Sequence, residues 1–395
     1  MPKQPSYDWQ PLQAQAENPI WITDNAQLAS ACARWQNLPL IALDTEFSRV
    51  ETFYPVPGLL QVADDEACYL IDPLQVDDFS PFRAVLEDET IIKVLHSASE
   101  DLELFRHSYQ VVPKPLFDTQ VAAAFANWGF SMGLQRLVKH ALEIDLGKAQ
   151  TTSDWLQRPL TAEQIHYAAL DVAYLPAIAL CLIAELKQLQ RLDWVVDECA
   201  YIAQQEDPDP EGYQYYRRFT QMSIRSDAQL AGLRDLTAWR EQACRERNLC
   251  RPRVLKNELI LEIVKRWPQN LETLARLGVW RRTLKEDGPS ILACLAQAEE
   301  SARRHPPLPI HLPLHVYWHK PVKKLLALGR ERARELDIFP EILIRRKDIE
   351  KLINSRDEQG QFHLPLSLSG WRKSLIGDDL LSALQALDPK RESEC

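Results

Sequence analysis

Leu40-Ile-Ala-Leu-Asp44-Thr-Glu46 sets a short apolar run directly against two acids one residue apart. Further along, Ile91-Ile-Lys-Val-Leu-His-Ser-Ala-Ser-Glu-Asp101 repeats the arrangement, an apolar run followed by an acid. Runs of this length, rich in Ile, Leu and Val and bounded by Pro or Asp, read as buried strands of an α/β sheet. On a strand, residues i and i+2 point to one face, so Asp44 and Glu46 present both carboxylates to the same site. In α/β sheets ligands gather beyond the strand ends. After Leu95 the chain turns helical, which places Asp101 in a first turn. An acid there also suits the helix dipole with no further role. A third acidic element, Tyr167-Ala-Ala-Leu-Asp171, lies in a helical stretch, where a spacing of four stacks the phenol and the carboxylate on one face.

Working outward, strands are expected at Leu40–Leu43, Leu59–Ala63, Cys68–Ile71 and Ile91–Leu95. Helices are expected at Asn25–Trp35, Phe79–Leu86, Asp101–His107, Thr119–Asn127, Gly133–Leu142 and Thr161–Leu189. The last opens with Thr161-Ala-Glu-Gln, the form of a capping box. Alternation of this kind indicates an α/β domain. Beyond Gly212 only helical signals remain, and they repeat. Arg240-Glu-Gln-Ala243 precedes Pro252-Arg-Val-Leu255, just as Arg330-Glu-Arg-Ala333 precedes Pro340-Glu-Ile-Leu343. The proline-rich stretch His305–Pro313 separates the copies as a semi-rigid linker. The expected organisation is an α/β domain over 1–205 and two helical modules over 213–300 and 314–390.

Composition narrows the class. With 46% hydrophobic and 26% charged residues, the 395-residue chain can bury substantial cores. The N-terminus lacks the basic and apolar regions of a secretory signal. The longest apolar stretch, Leu175–Ala184, contains Pro176 and falls short of the ~18–20 residues of a membrane span. Eight cysteines without any C-x-x-C argue against a disulfide scaffold or zinc module, so a reducing cytoplasm and no membrane are expected. The net charge of −10 hides an asymmetry: residues 1–200 hold 13 basic and 28 acidic residues, whereas residues 212–285 hold 16 and 7. Such a contrast suggests one part that holds cations and another that holds a polyanion.

If the four acids converge, they repel and raise one another's pKa values unless cations neutralise them. Two divalent ions match four carboxylates. An oxygen-only donor set without His or Cys selects Mg²⁺ or Mn²⁺. Two such ions about 3.5–4 Å apart can support an in-line phosphoryl displacement. Tyr167, with an ordinary pKa near 10, suits orienting the attacking water better than deprotonating it.

Taken together, Asp44-x-Glu46, the His96-x-Ala-x-Glu-Asp101 segment and Tyr167-x-x-x-Asp171 resemble, in order and setting, the three motifs of the DEDD 3′→5′ exonucleases. The tyrosine of the third motif is similar to the DEDDy branch. Phe53-Tyr-Pro-Val-Pro-Gly-Leu-Leu-Gln-Val62, His96–Phe105 and Thr152-Ser-Asp-Trp-Leu-Gln-Arg-Pro-Leu160 narrow the resemblance to the ribonuclease D family. It implies an RNase H-like domain with a mixed β-sheet flanked by helices, followed by two small all-α HRDC modules. Asp44, Glu46, Asp101 and Asp171 then hold two divalent ions, and Tyr167 orients the water. The implied reaction trims RNA from a free 3′ end, releases nucleoside 5′-monophosphates and serves tRNA 3′ maturation. No obligate protein partner is implied.

Candidate RNA contacts are Thr45 and Phe47 beside the metal acids, and Lys148, Trp155 and Arg158 before the third motif. Phe47 reads equally as core, and Trp155 reads more readily as packing against the catalytic helix. Arg245, Arg247, Arg251, Arg253 and Lys256 cluster around the turn at Pro252, a patch able to follow phosphates without reading sequence, and Arg251 and Arg253 are its central candidates. Trp280-Arg-Arg282 adds an aromatic beside further charge. A 3′→5′ DNA exonuclease on the same carboxylates, or a non-catalytic nucleic-acid-binding protein on the same fold, is the alternative. No Walker-type G-x-x-x-x-G-K-[ST] loop is present to power a helicase.

Overall fold

The computed structural model describes residues 10–146, 153–220, 226–310, 314–357 and 359–387. The chain divides into two compact units, one of Met1–Ser48, Pro57–Gln204 and Leu314–Cys395, the other of Arg49–Val56 and Gln205–Pro313.

In the first unit α1 (Gln10–Ala16), β1 (Ile20–Ile22) and α2 (Asn25–Trp35) lead into β2 (Leu40–Ser48), β3 (Val56–Ala63) and β4 (Cys68–Ile71). Then come α3 (Ser80–Glu87), β5 (Ile92–Leu95), α4 (Ser99–Ser108), β6 (Leu116–Asp118), α5 (Thr119–Phe125) and α6 (Leu134–Leu142). Helices α7 (Ala162–Ala173), α8 (Leu175–Gln188) and α9 (Leu192–Ala203) complete this part. The strands form one sheet in the order β1-β4-β3-β2-β5-β6. β1 runs parallel to β4, β5 parallel to both β2 and β6, and β3 antiparallel to β4, so the sheet is mixed. Ala42 pairs with Val94 at the centre, which places the acids after Leu43 and the segment after Leu95 at the same end of the sheet.

Two differences from the sequence reading follow from local physics. β1 and β6, three residues each, are too short to show a period and are defined by pairing with β4 and β5. The helix expected over Thr161–Leu189 breaks at Tyr174, because Pro176 begins a new helix and has no N–H to continue the old one. The capping box at its start is present: the Gln164 N–H donates to Thr161 Oγ1, and the Thr161 N–H donates to Gln164 Oε1. Ala162–Gln188 is long and apolar enough by composition to cross a membrane, but 61% of its most apolar window is buried within the protein, which accounts for that composition.

The second unit contains α10 (Asp227–Arg247), α11 (Arg251–Val254), α12 (Asn257–Arg266), α13 (Leu271–Ala275), α14 (Arg281–Ala296) and α15 (Ala298–Arg304) around their own apolar core. Returning to the first unit, α16 (His319–Glu335), α17 (Pro340–Leu343), α18 (Arg346–Asn354) and α19 (Asp378–Leu387) repeat the opening of that pattern: a long helix, one proline-led turn, a short helix. This C-terminal helical part shares the core of the sheet region. Trp371 stacks on Trp194 at 5.4 Å and meets Phe125 edge-on. Arg372 donates to both oxygens of Glu198, at 2.5 and 3.0 Å, and to the Ile342 carbonyl.

Candidate active site

β2 carries Asp44 and Glu46 through the centre of the sheet, and α7, packed on β2, brings Asp171 to them. Asp44, Glu46 and Asp171 each offer a carboxylate oxygen within 4.8 Å of the others. Asp101 enters from the first turn of α4, 7% exposed, and its charge acts on both Asp44 and Glu46. Thr45, itself 6% exposed, donates its hydroxyl to Asp101 Oδ1 at 2.5 Å. The three motifs therefore meet.

Electrostatics confirm that the cluster is short of positive charge. Burial raises the Asp44 carboxyl well above its ordinary value, and the charges of Asp101, Asp171 and Glu46 add to the shift. Glu46 rises to about 8, by burial first and then by Asp171 and Asp101. Burial lifts Asp101 to about 7 against the opposing Thr45 hydrogen bond, and lifts Asp171 to about 7 against the bond from the Tyr167 hydroxyl. Tyr167 is itself raised, by burial and by Asp171. Hard oxygens that repel one another in a buried pocket fit divalent cations of the Mg²⁺ type, which neutralise them without help from protein side chains.

Besides Thr45 and His96, two residues that shape the turn before Asp101, Asp118 and Thr119, were not singled out in the sequence. Asp118, at the end of β6, caps α5 and accepts the backbone N–H groups of Ser97 at 3.1 Å and Ala98 at 2.9 Å. His96 Nδ1 lies 2.9 Å from Thr119 Oγ1, which donates to the Leu95 carbonyl. These bonds hold Ser97 at φ 61°, a left-handed conformation that costs energy for a residue with a Cβ and turns β5 into α4. Asp118-Thr119 ahead of an alanine-rich helix was the available signal.

The expected RNA contacts divide. Lys148 lies outside the described residues. Thr45 is buried against Asp101, and Phe47 is half-buried against the sheet core. Trp155 is 4% exposed and packs with Leu59, Leu160 and Ala168, its ring 6.2 Å from Tyr167, so it has no face open for a base. Arg158 is fully engaged within the protein. It donates to both oxygens of buried Asp72 at 2.7 Å, and to the carbonyls of Gly58, Trp155 and Gln157. These bonds tie the approach to α7 to β3 and to the end of β4.

The arginine patch of the second unit is likewise paired. Arg251 grips both oxygens of Glu241, which is 1% exposed, and lies 4.9 Å from the Phe53 and Tyr215 rings. Arg253 pairs with Glu51, Arg245 with Asp207, and Arg247 with both oxygens of Asp287. Four of the five cations read as a phosphate track are thus engaged in ion pairs, the Arg253–Glu51 pair an exposed one, and Lys256 is not among them. Trp280, by contrast, is 51% exposed.

Comparisons with known proteins agree with this geometry. A family model described as 3′-5′ exonuclease matches residues 19–187, and an HRDC domain model matches residues 229–295. Ribonuclease D of Pseudomonas paraeruginosa is 41% identical over 367 residues, covering 93% of this chain and 97% of that protein. Ribonuclease D of Escherichia coli is 36% identical, covering 92% and 98%. The crystal structure of E. coli RNase D, described as an exoribonuclease involved in structured RNA processing, superposes with a TM-score of 0.84 at 34% identity, covering 93% of this chain and 99% of that one.

Proposed function

Because this chain belongs to the ribonuclease D family and is a hydrolase of the 3′→5′ exoribonuclease type, we propose that Asp44, Glu46, Asp101 and Asp171 hold two divalent ions, Mg²⁺ or Mn²⁺, at the 3′ end of an RNA strand. The observation that carries the proposal is the meeting of three separate motifs in one buried, mutually repelling carboxylate cluster. Bound there, the ions supply Lewis acidity for the water and for the leaving oxygen. The chain's own groups do the rest. The Tyr167 hydroxyl, anchored on Asp171, orients the attacking water, and its raised pKa keeps it protonated near neutrality, so it does not take the water's proton. Thr45 fixes Asp101. Water adds to phosphorus, the bond to O3′ breaks, and a nucleoside 5′-monophosphate leaves. The substrate is RNA with a free 3′ end, of the tRNA-precursor class, handled in a reducing cytoplasm. The C-terminal helices, which repeat the order of the HRDC-matched segment, act as a second HRDC module that braces the nuclease through Trp371 and Arg372.

A tRNA precursor with a 3′ extension provides the test. The expected products are monophosphates, released stepwise and abolished by EDTA, with a matched DNA strand degraded far more slowly. Asp44→Asn should abolish hydrolysis and leave RNA binding nearly intact. Trimming by that variant at the normal rate sinks the metal proposal.

A further inference from the structure

The second unit has a cleft of about 290 Å³ between the start of α12 and the start of α14, lined by Pro252, Lys256, Leu259, Leu277, Val279 and Trp280. Among the described residues, Trp280 is the one tryptophan more than a third exposed. An indole left half in water at a cleft mouth is not closing the core; Leu274, Val279 and Ile291 do that. Lys256 Nζ lies 5.9 Å from the centre of its ring, within cation–π range, so ring and ammonium are held as a pair. Around them basic residues outnumber acidic ones. Lys256, Arg281 and Lys285 are exposed, as is Arg282, which pairs with Glu286 on the same helix; Arg281 and Arg282 occupy the first turn of α14, which holds no acid. Arg281, which has no such partner, opposes the helix dipole there and is not placed for the helix's benefit. Of the acids at the cleft, Glu262 is neutralised by Lys265 and Arg266, which leaves Glu258.

A flat aromatic with cations on its rim is complementary to a single-stranded polynucleotide, whose bases stack and whose phosphates are anionic. We infer that this cleft is a stacking subsite for single-stranded RNA, taking one base on Trp280 and the adjoining phosphates on Lys256, Arg281 and Lys285. It offers this unit an RNA contact whose cations, unlike Arg251 and Arg253, are not already paired with Glu241 and Glu51. The inference rests on the exoribonuclease reading for its ligand but not on the carboxylate chemistry for its test.

The experiment measures binding of the full-length chain to a 20-residue oligouridylate labelled at its 5′ end, in EDTA, with strand integrity checked on a gel. Trp280→Ala should weaken binding about 5–150-fold, the range for one stacked base, and Trp280→Phe should lose clearly less. Lys256→Gln with Lys285→Gln should lower the salt dependence of binding. On a matched strand of abasic residues the Trp280→Ala effect should vanish. Loss of the label's length in EDTA points to failure of the metal reading and leaves this one standing. Unchanged affinity in Trp280→Ala, in a variant that melts like the parent, overturns the subsite. An equal loss on the abasic strand also overturns it.

Discussion

Arg158→Ala separates two roles for one arginine. The substitution removes five hydrogen bonds and the cation facing Asp72, a carboxylate 1% exposed. Asp72 keeps only the Leu74 N–H at 2.9 Å and the Gln75 side-chain amide at 2.8 Å. Removing one partner of a buried pair costs about 3–5 kcal/mol, because the remaining charge is stranded. That is a large share of a domain stability of about 5–15 kcal/mol. Urea unfolding at pH 7 should show the midpoint falling with the slope unchanged. The loss should depend on pH. Burial pushes the Asp72 carboxyl up, but the Arg158 guanidinium and the hydrogen bonds from Leu74 and Gln75 outweigh it and hold the group below its ordinary value. A group depressed in the folded state stabilises above its unfolded pKa, about 3.9, and that stability is lost as pH falls through the folded value. The gap between parent and variant should therefore be full near neutrality and shrink below about pH 4. Asp72→Asn in the Arg158→Ala background should cost less than the two single losses added. A variant within about 1 kcal/mol of the parent at pH 7, but with weakened RNA affinity, would refute the structural role and restore Arg158 as an RNA contact.

Thr45→Val should keep the fold and lower kcat/KM about 10–150-fold, the equivalent of one charge-assisted hydrogen bond of about 1.5–3 kcal/mol; Thr45→Ser should restore most of it, and parent-like activity in the valine variant removes Thr45 as the group that positions Asp101. Without divalent ions, Glu46 near 8 and Asp101 and Asp171 near 7 are raised above their unfolded values, so the stability they contribute is present at low pH and lost as pH rises through 7 and 8. Melting temperature in EDTA should fall from pH 5 to pH 8 and recover on adding Mg²⁺, whereas a flat profile with no response to Mg²⁺ argues against the cluster as a cation site.

What the sequence disclosed follows the physics of each signal. Asp44-Thr-Glu46 was readable because a buried strand announces itself by composition and its side chains alternate by necessity. Tyr167 and Asp171 were readable because helical spacing fixes their shared face. Both are facts of backbone geometry, carried by neighbours in the chain. The internal pairing of Arg158 and Arg251 was not legible, for the complementary reason. A guanidinium looks the same in sequence whether it faces solvent or Asp72, 86 positions away, and only the fold decides which carboxylate reaches it. The helical repeat shows the same division within one motif. Ala243 and Ala333, equivalent in the two copies, are both buried, as their helical period requires. Arg240 and Arg330, also equivalent, part company: the first is fully buried on the Leu255 carbonyl and Asn257, the second exposed. Apolar positions are thus dictated by the helix they lie on, while charged ones are dictated by distant partners. A basic count such as that of residues 212–285 therefore overstates the charge available to a polyanion until the internal pairs are subtracted. That subtraction is the ground for proposing the exposed indole and the lysines beside it, rather than the arginines around Pro252, as the nucleic-acid contact.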